Sequence, residues 1–127
     1  MMKLLLDTHT LIWWFSEPLR LKNQVISMLQ QAENMVFVSA ATMWEIAIKK
    51  KLGRLDIDTG ELLSAMQINN FTDLPITIVH SLYAGSLPLH HDDPFDRMLV
   101  AQAVLDDMLL ITHDKRLKNY DASVFLF

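Results

Sequence analysis

Three short stretches of uninterrupted apolar residues, Leu4-Leu5-Leu6, Met35-Val36-Phe37-Val38 and Leu109-Leu110-Ile111, are separated by longer segments with helical periodicity. No other property of the chain constrains its fold as much. A strand with one face in water alternates apolar with polar residues, whereas a strand covered on both faces does not. Strands of the second kind, alternating with helices, predict an α/β class domain of three layers, α/β/α, around a central parallel sheet. At 127 residues the chain is long enough for one such domain and too short for two ordinary ones, so residues 1–127 are read as a single unit without linker or repeat.

Capping and periodicity predict the elements in order. A strand at 3–6 leads to helices at 8–15 and 21–33, then a strand at 35–38. Ser39 is a good N-cap for a helix reaching about residue 52, with Gly53 placed to stop it. Thr59 is expected to cap a helix to about 69, followed by an extended piece at 74–78, a brief helix at 80–85 and a loop at 88–92. Asp93 as N-cap and Pro94 at the first helical position open a helix to about 107. Strands at 109–112 and 123–127 complete the set.

Apolar residues make up 51% of the chain, yet no run approaches the length that crosses a bilayer. Residues 1–15 superficially resemble a secretory signal, but Asp7 and His9 break the apolar stretch, so a cytoplasmic protein is expected. There is no cysteine, which excludes disulfides and thiolate metal sites.

Four carboxylates stand where an α/β fold can deliver them to one place. Asp7 closes the first apolar run, Asp114 follows the strand at 109–112, and Glu45 and Asp96 lie in or at the head of helical segments. In open α/β sheets ligands bind off the carboxyl ends of the strands, where Asp7, Ser39 and Asp114 fall. Each acid also has an ordinary explanation. Asp7 and Asp114 can be helix caps, Glu45 can pair with Lys49 for only about 0.3 kcal/mol, and Asp96 suits the positive end of its helix. Against that, Leu99, Val100 and Ala103 follow Asp96 at helical spacing and aim it inward, while Asp93 and Arg97 can pair with each other.

Taken together, acids clustered without matching bases require a cation. Carboxylate oxygens are what Mg2+ or Mn2+ takes, and such an ion can activate water against a phosphodiester. The charge balance agrees: 11 basic residues against 15 acidic ones, an excess equal to these four acids. Basic clusters at Lys49, Lys50, Lys51 and Arg54 and at Lys115, Arg116 and Lys118 read equally as solvated helix ends or as phosphate contacts. His90-His91-Asp92-Asp93 is read against a transition-metal site, since adjacent histidines on a loop more often diverge. His9 and His113 are read as local hydrogen-bonding groups. Trp13, Trp14 and Phe15 are not expected all to face one core, which leaves at least one for a partner.

The chain resembles the PIN-domain ribonucleases, in particular the VapC-like toxins of toxin–antitoxin pairs, over nearly its whole length. The resemblance is carried by Leu4-Leu5-Leu6-Asp7-Thr8-His9, by Val38-Ser39-Ala40-Ala41-Thr42-Met43-Trp44-Glu45-Ile46, by Asp93-Pro94-Phe95-Asp96-Arg97-Met98-Leu99-Val100-Ala101-Gln102-Ala103, and by Thr112-His113-Asp114. It implies a Mg2+ or Mn2+ site built from Asp7, Glu45, Asp96 and Asp114, endonucleolytic cleavage of RNA, and neutralisation by a small antitoxin protein that covers the site. It further implies polar supporting roles for Ser39 and Thr112, with Asp93 as a fifth carboxylate nearby, and a homodimer or larger assembly. Two other readings stand beside it. A non-catalytic PIN-like module would bind RNA or protein, and an aspartyl-phosphate phosphatase would want a second acid where His9 stands.

Overall fold

A computed structural model describes residues 1–127. Five strands, β1 (Lys3–Leu6), β2 (Met35–Ser39), β3 (Thr72–Leu74), β4 (Leu109–Thr112) and β5 (Val124–Leu126), form one sheet in the order β3-β2-β1-β4-β5. Every pairing is parallel, and Leu5 of β1 lies between Phe37 of β2 and Leu110 of β4. Six α-helices accompany the sheet: α1 (Thr8–Ser16), α2 (Asn23–Gln30), α3 (Ala40–Lys51), α4 (Thr59–Ile68), α5 (Ile78–Ser86) and α6 (Pro94–Leu105). Successive strand residues point to opposite faces, so the uninterrupted apolar runs feed two cores at once. Leu4, Leu6, Val36, Val38 and Ile111 join Leu11, Val25, Ile46 and Leu62 from α1 to α4 in one core. Leu5, Phe37 and Leu110 join Leu99, Val100 and Ala103 of α6 in the other. This is the expected three-layer arrangement. No helix is long and apolar enough to cross a membrane.

Several expected boundaries are corrected. The cap of α4 is Asp58, not Thr59, because its carboxylate reaches the Glu61 N–H at 3.0 Å. The second helix is confined to Asn23–Gln30, preceded by a 3-10 turn at Pro18–Arg20. The extended piece expected at 74–78 is instead β3, ending at Leu74, and Ile78 already begins α5. There Thr77 and His80 form a reciprocal cap, each side chain accepting the other's backbone N–H at 3.0 Å. Trp13, Trp14 and Phe15 all pack, half-buried, against the flank of the same core, which removes the argument that one must be free for a partner. Gly53 ends α3 as expected, at φ +72°, with its N–H on the Lys50 carbonyl and that of Arg54 on the Lys49 carbonyl.

The order of the sheet decides where a site can form. From β1 the chain moves outward to β2 and β3, then returns to place β4 and β5 on the other side of β1. The carboxyl ends of β1 and β4 therefore flank the point where the winding reverses, the usual ligand crevice of such sheets. Asp7 directly follows β1, and its N–H bonds the Ile111 carbonyl of β4 at 3.1 Å.

Candidate active site

Asp7 is held by both of its oxygens. Oδ1 accepts the Thr10 N–H at 2.9 Å and the Thr10 hydroxyl at 2.6 Å, and Oδ2 accepts the Thr112 hydroxyl at 2.5 Å. It thus caps α1 and lines the acidic cleft at once, so capping does not remove it from the candidate site. At 3% exposure it is deeply buried, and that burial raises its carboxyl above the usual range against the opposing hydrogen bonds from Thr10 and Thr112. Thr112 also accepts the Asp114 N–H at 3.0 Å, linking two acids through one hydroxyl. Thr112→Val keeps the shape and removes both bonds. It is expected to cost about 1–3 kcal/mol, since it strips a buried carboxylate of a donor. A urea unfolding curve with an unchanged midpoint would mean Asp7 does not depend on Thr112.

Glu45 enters from α3, 5% exposed, with Oε1 accepting the Thr8 hydroxyl at 2.6 Å and Oε2 paired to Lys49 Nζ at 2.7 Å. Asp114 is gripped by the Arg116 guanidinium, Nε to Oδ1 at 3.1 Å and Nη2 to Oδ2 at 2.8 Å. That contact comes first among the causes holding its carboxyl down, at about 2. The cluster therefore does have bases, contrary to expectation: Glu45 and Asp114 each have a cationic partner. Asp7 and Asp96 have no Lys or Arg partner.

Asp96 projects from the first turn of α6, with its carboxyl pushed up to about 8, chiefly by burial and then by the charges of Asp93, Asp7, Glu45 and Asp114. Its expected freedom from Arg97 holds for a different reason. Arg97 Nη1 donates to the His91 carbonyl at 2.9 Å, while Asp93 caps α6 through the Phe95 N–H at 2.8 Å. Asp93 thus supports α6 and adds to the negative field on Asp96. Ser39 is fully buried and caps α3 through the Ala41 N–H at 3.0 Å, so its part is to aim the helix that carries Glu45.

His91 is the cleft residue that the sequence reading put aside. The two adjacent histidines do diverge: His90 lies edge-on to Tyr120, whereas His91 is 4% exposed and turned into the acids. Its Nδ1 accepts the Asp93 N–H at 3.1 Å, which leaves Nε2 to carry the proton and donate it to Asp114 Oδ2 at 2.9 Å. Asp96 Oδ2 lies 3.0 Å from the same nitrogen. The ligand atoms of His91, Asp96 and Asp114 fall within 4.8 Å of one another, a group able to hold a metal ion. Asp7, Glu45, Asp96 and Asp114, with Thr8, His91 and Asp93, line one cleft of about 110 Å3, with Lys49 and Arg116 among its walls. Oxygen donors dominate, and two of the acids lack a cationic partner, a set that suits a hard divalent cation.

Comparison with known proteins agrees with the fold. The PIN domain family model matches residues 4–123. Ribonuclease VapC22 of Mycobacterium tuberculosis is 29% identical over 122 residues, covering 94% of this chain and 93% of that protein. Among solved structures, VapBC2 from Rickettsia felis, bound to a DNA fragment from its promoter, superposes with a TM-score of 0.73 at 13% identity, covering 99% of each chain. VapBC-1 from nontypeable Haemophilus influenzae gives 0.66 at 18% identity over 98% of each. A toxin–antitoxin complex from Klebsiella pneumoniae gives 0.65 at 21%, over 95% of this chain and 94% of that one. At these identities the structural matches speak for the fold alone.

Proposed function

The chain belongs to the PIN domain family, and from that premise we propose that it is an endoribonuclease dependent on Mg2+ or Mn2+ and the toxin of a toxin–antitoxin pair. The observation that carries the reading is the convergence of Asp7, Glu45, Asp96 and Asp114 in one cleft at the reversal of the sheet. Its likeness to VapC22, named a ribonuclease, supports RNA as the substrate. The phosphatase reading has no second acid beside Asp7, because His9 stands there. A purely binding module gives no reason for a half-buried Asp96 set among four other carboxylates.

We assign the four acids as metal ligands, with His91 as orienting donor. A bound Mg2+ or Mn2+ supplies the Lewis acidity that acidifies a water and offsets charge developing on phosphorus. The remaining work belongs to the side chains themselves. Thr10 and Thr112 fix the Asp7 carboxylate, Thr8 and Lys49 fix Glu45, and Arg116 with His91 fixes Asp114. Asp96, its carboxyl pushed up to about 8, must give up its proton before it can serve as a ligand. Lys49 and Arg116 bring positive charge to a cleft that would otherwise repel a phosphate.

Two partners complete the proposal. A small antitoxin neutralises the enzyme by covering the cleft, a role supported by the toxin–antitoxin complex from Klebsiella pneumoniae among the structural neighbours. A second copy of the chain is the other. On α5, Ile78, Val79 and Leu82 are exposed, as is Leu89 beyond it, more apolar surface than one short helix ordinarily leaves in water. The deciding experiment incubates partner-free protein with total cellular RNA. Cuts at discrete sites that need Mg2+ or Mn2+ and stop with chelator are expected. Folded protein that leaves every RNA intact would replace the nuclease by the binding module.

A further inference from the structure

A second and larger groove, about 670 Å3, opens beside the acids and shares Asp7 and Asp114 with their cleft. Its walls include His9, Trp13, Arg20, His113, Lys115 and Phe127. Resting on the nuclease reading, we propose that this groove receives the base of a single-stranded RNA nucleotide next to the phosphate that is cut.

The lining is built for a planar, hydrogen-bonding occupant attached to a polyanion. Trp13 is half-buried at the centre of an aromatic group, 5.5 Å from the His113 ring and 6.1 Å from Phe127, both edge-on, with His9 tilted at 5.8 Å. The Arg20 guanidinium lies over the Trp13 indole, 4.2 Å from its centroid, and extends the aromatic platform by a second planar, charged surface. Bases stack on aromatic rings and on arginine planes alike, and stacking accepts any base because each has a π-face. His113 is oriented by a hydrogen bond between its Nδ1 and the Phe127 carbonyl.

Charge complementarity favours nucleic acid over a protein segment. The acids' cleft has Lys49 and Arg116 among its walls, and along this groove Lys115 and Arg20, the latter also 3.3 Å from Glu17, offer positive charge to the flanking phosphates. An amphipathic helix would seek an aliphatic floor, and Leu126 is the one aliphatic side chain lining the groove. Because Asp7 and Asp114 belong to both cavities, a nucleotide seated here places its own phosphate toward the acids.

The test measures binding apart from cleavage. A fluorescein-labelled single-stranded RNA ten nucleotides long, and the same strand with abasic riboses throughout, are titrated with wild-type protein in Ca2+ and in chelator, and anisotropy is read. The intact strand is expected to bind about tenfold tighter or more, the range of one stacked base. Trp13→Ala should erase most of that preference, and Lys115→Ala should weaken both strands alike and reduce the salt dependence. The comparison of intact with abasic RNA uses unaltered protein, so a folding defect in Trp13→Ala does not blunt it. Equal affinity for the two strands, or a loss of preference no greater in Trp13→Ala than in Trp44→Ala, overturns the proposal and leaves the groove to a protein segment. Cleavage of RNA by a protein indifferent to bases would sink the base site and keep the nuclease. Preference for intact RNA without cleavage under any metal would do the reverse.

Discussion

Asp7→Asn and Asp96→Asn are each expected to abolish RNA cleavage, by about a thousandfold or more on the scale of losing a principal charge-stabilising group, while making the metal-free protein more stable. The two halves of this expectation share one cause. Asp7 is buried and Asp96 half-buried, neither has a Lys or Arg partner, and both are raised by burial above the usual carboxylate range. A neutral amide of the same size removes the cost of the charge and, at position 7, keeps an oxygen to accept from Thr10 while giving up the bond from Thr112. The same replacement removes an anionic ligand. Activity and thermal midpoint should therefore move in opposite directions, which a destabilising mutation cannot imitate. Loss of activity together with a lowered midpoint would show instead that these acids serve the fold.

Stability of the metal-free protein should fall as pH rises from about 4 to about 8. The sign follows from linkage. Between the ordinary value of 3.8 and the raised value near 8, Asp96 keeps a proton in the folded state that it has lost in the unfolded one. The folded state thus binds more protons throughout that window, and each unit of rising pH costs up to about 1.4 kcal/mol. Asp7, raised in the same direction, adds to the trend. Divalent cation should reverse it, contributing about 2.7 kcal/mol at a hundredfold excess over its dissociation constant and more at higher pH, where no proton must be displaced. Thermal unfolding across this range in chelator and in Mg2+ checks the prediction, and Asp96→Asn should flatten the chelator curve. A wild-type midpoint flat in chelator would mean that Asp96 is already ionised in the folded protein.

What could be read from the residues depended on how local the governing physics was. The apolar runs at β1, β2 and β4 located those strands because burial on both faces leaves no polar position to confuse the period. β3 was misplaced for the complementary reason: as an edge strand of three residues with Thr72 and Asp73 exposed, it carries almost no burial signal. Asp58 and Thr59 are both competent caps in adjacent positions, and which of them caps depends on the path of the preceding loop. In the site, Asp7, Asp96 and Asp114 were visible because strand ends and helix heads are predictable places, and Glu45, midway along α3, because it interrupts an apolar stretch. His91 was not, since the direction of a loop side chain is set by remote contacts: Arg97 on its carbonyl, the Tyr120 hydroxyl accepting its N–H at 3.0 Å, and Asp114 on its ring. The pairing of Glu45 with Lys49 was legible from spacing alone, though whether it was buried or exposed was not.

The hydrogen bond from Thr112 to Asp7 spans 105 positions of sequence, and this separation governs when the chain can become active during its synthesis. A ribosome that has released β1 through α6 has made three of the four acids but neither β4 nor the hydroxyl that steadies the first of them. Parallel pairing over such a distance carries a loop-closure cost and comes late in folding. The four acids can therefore converge only once β4 and Asp114 have been made. On the proposed function, a nascent fragment that stops short of β4 is expected to leave RNA uncut, because its cleft lacks Asp114 and the hydroxyl that steadies Asp7.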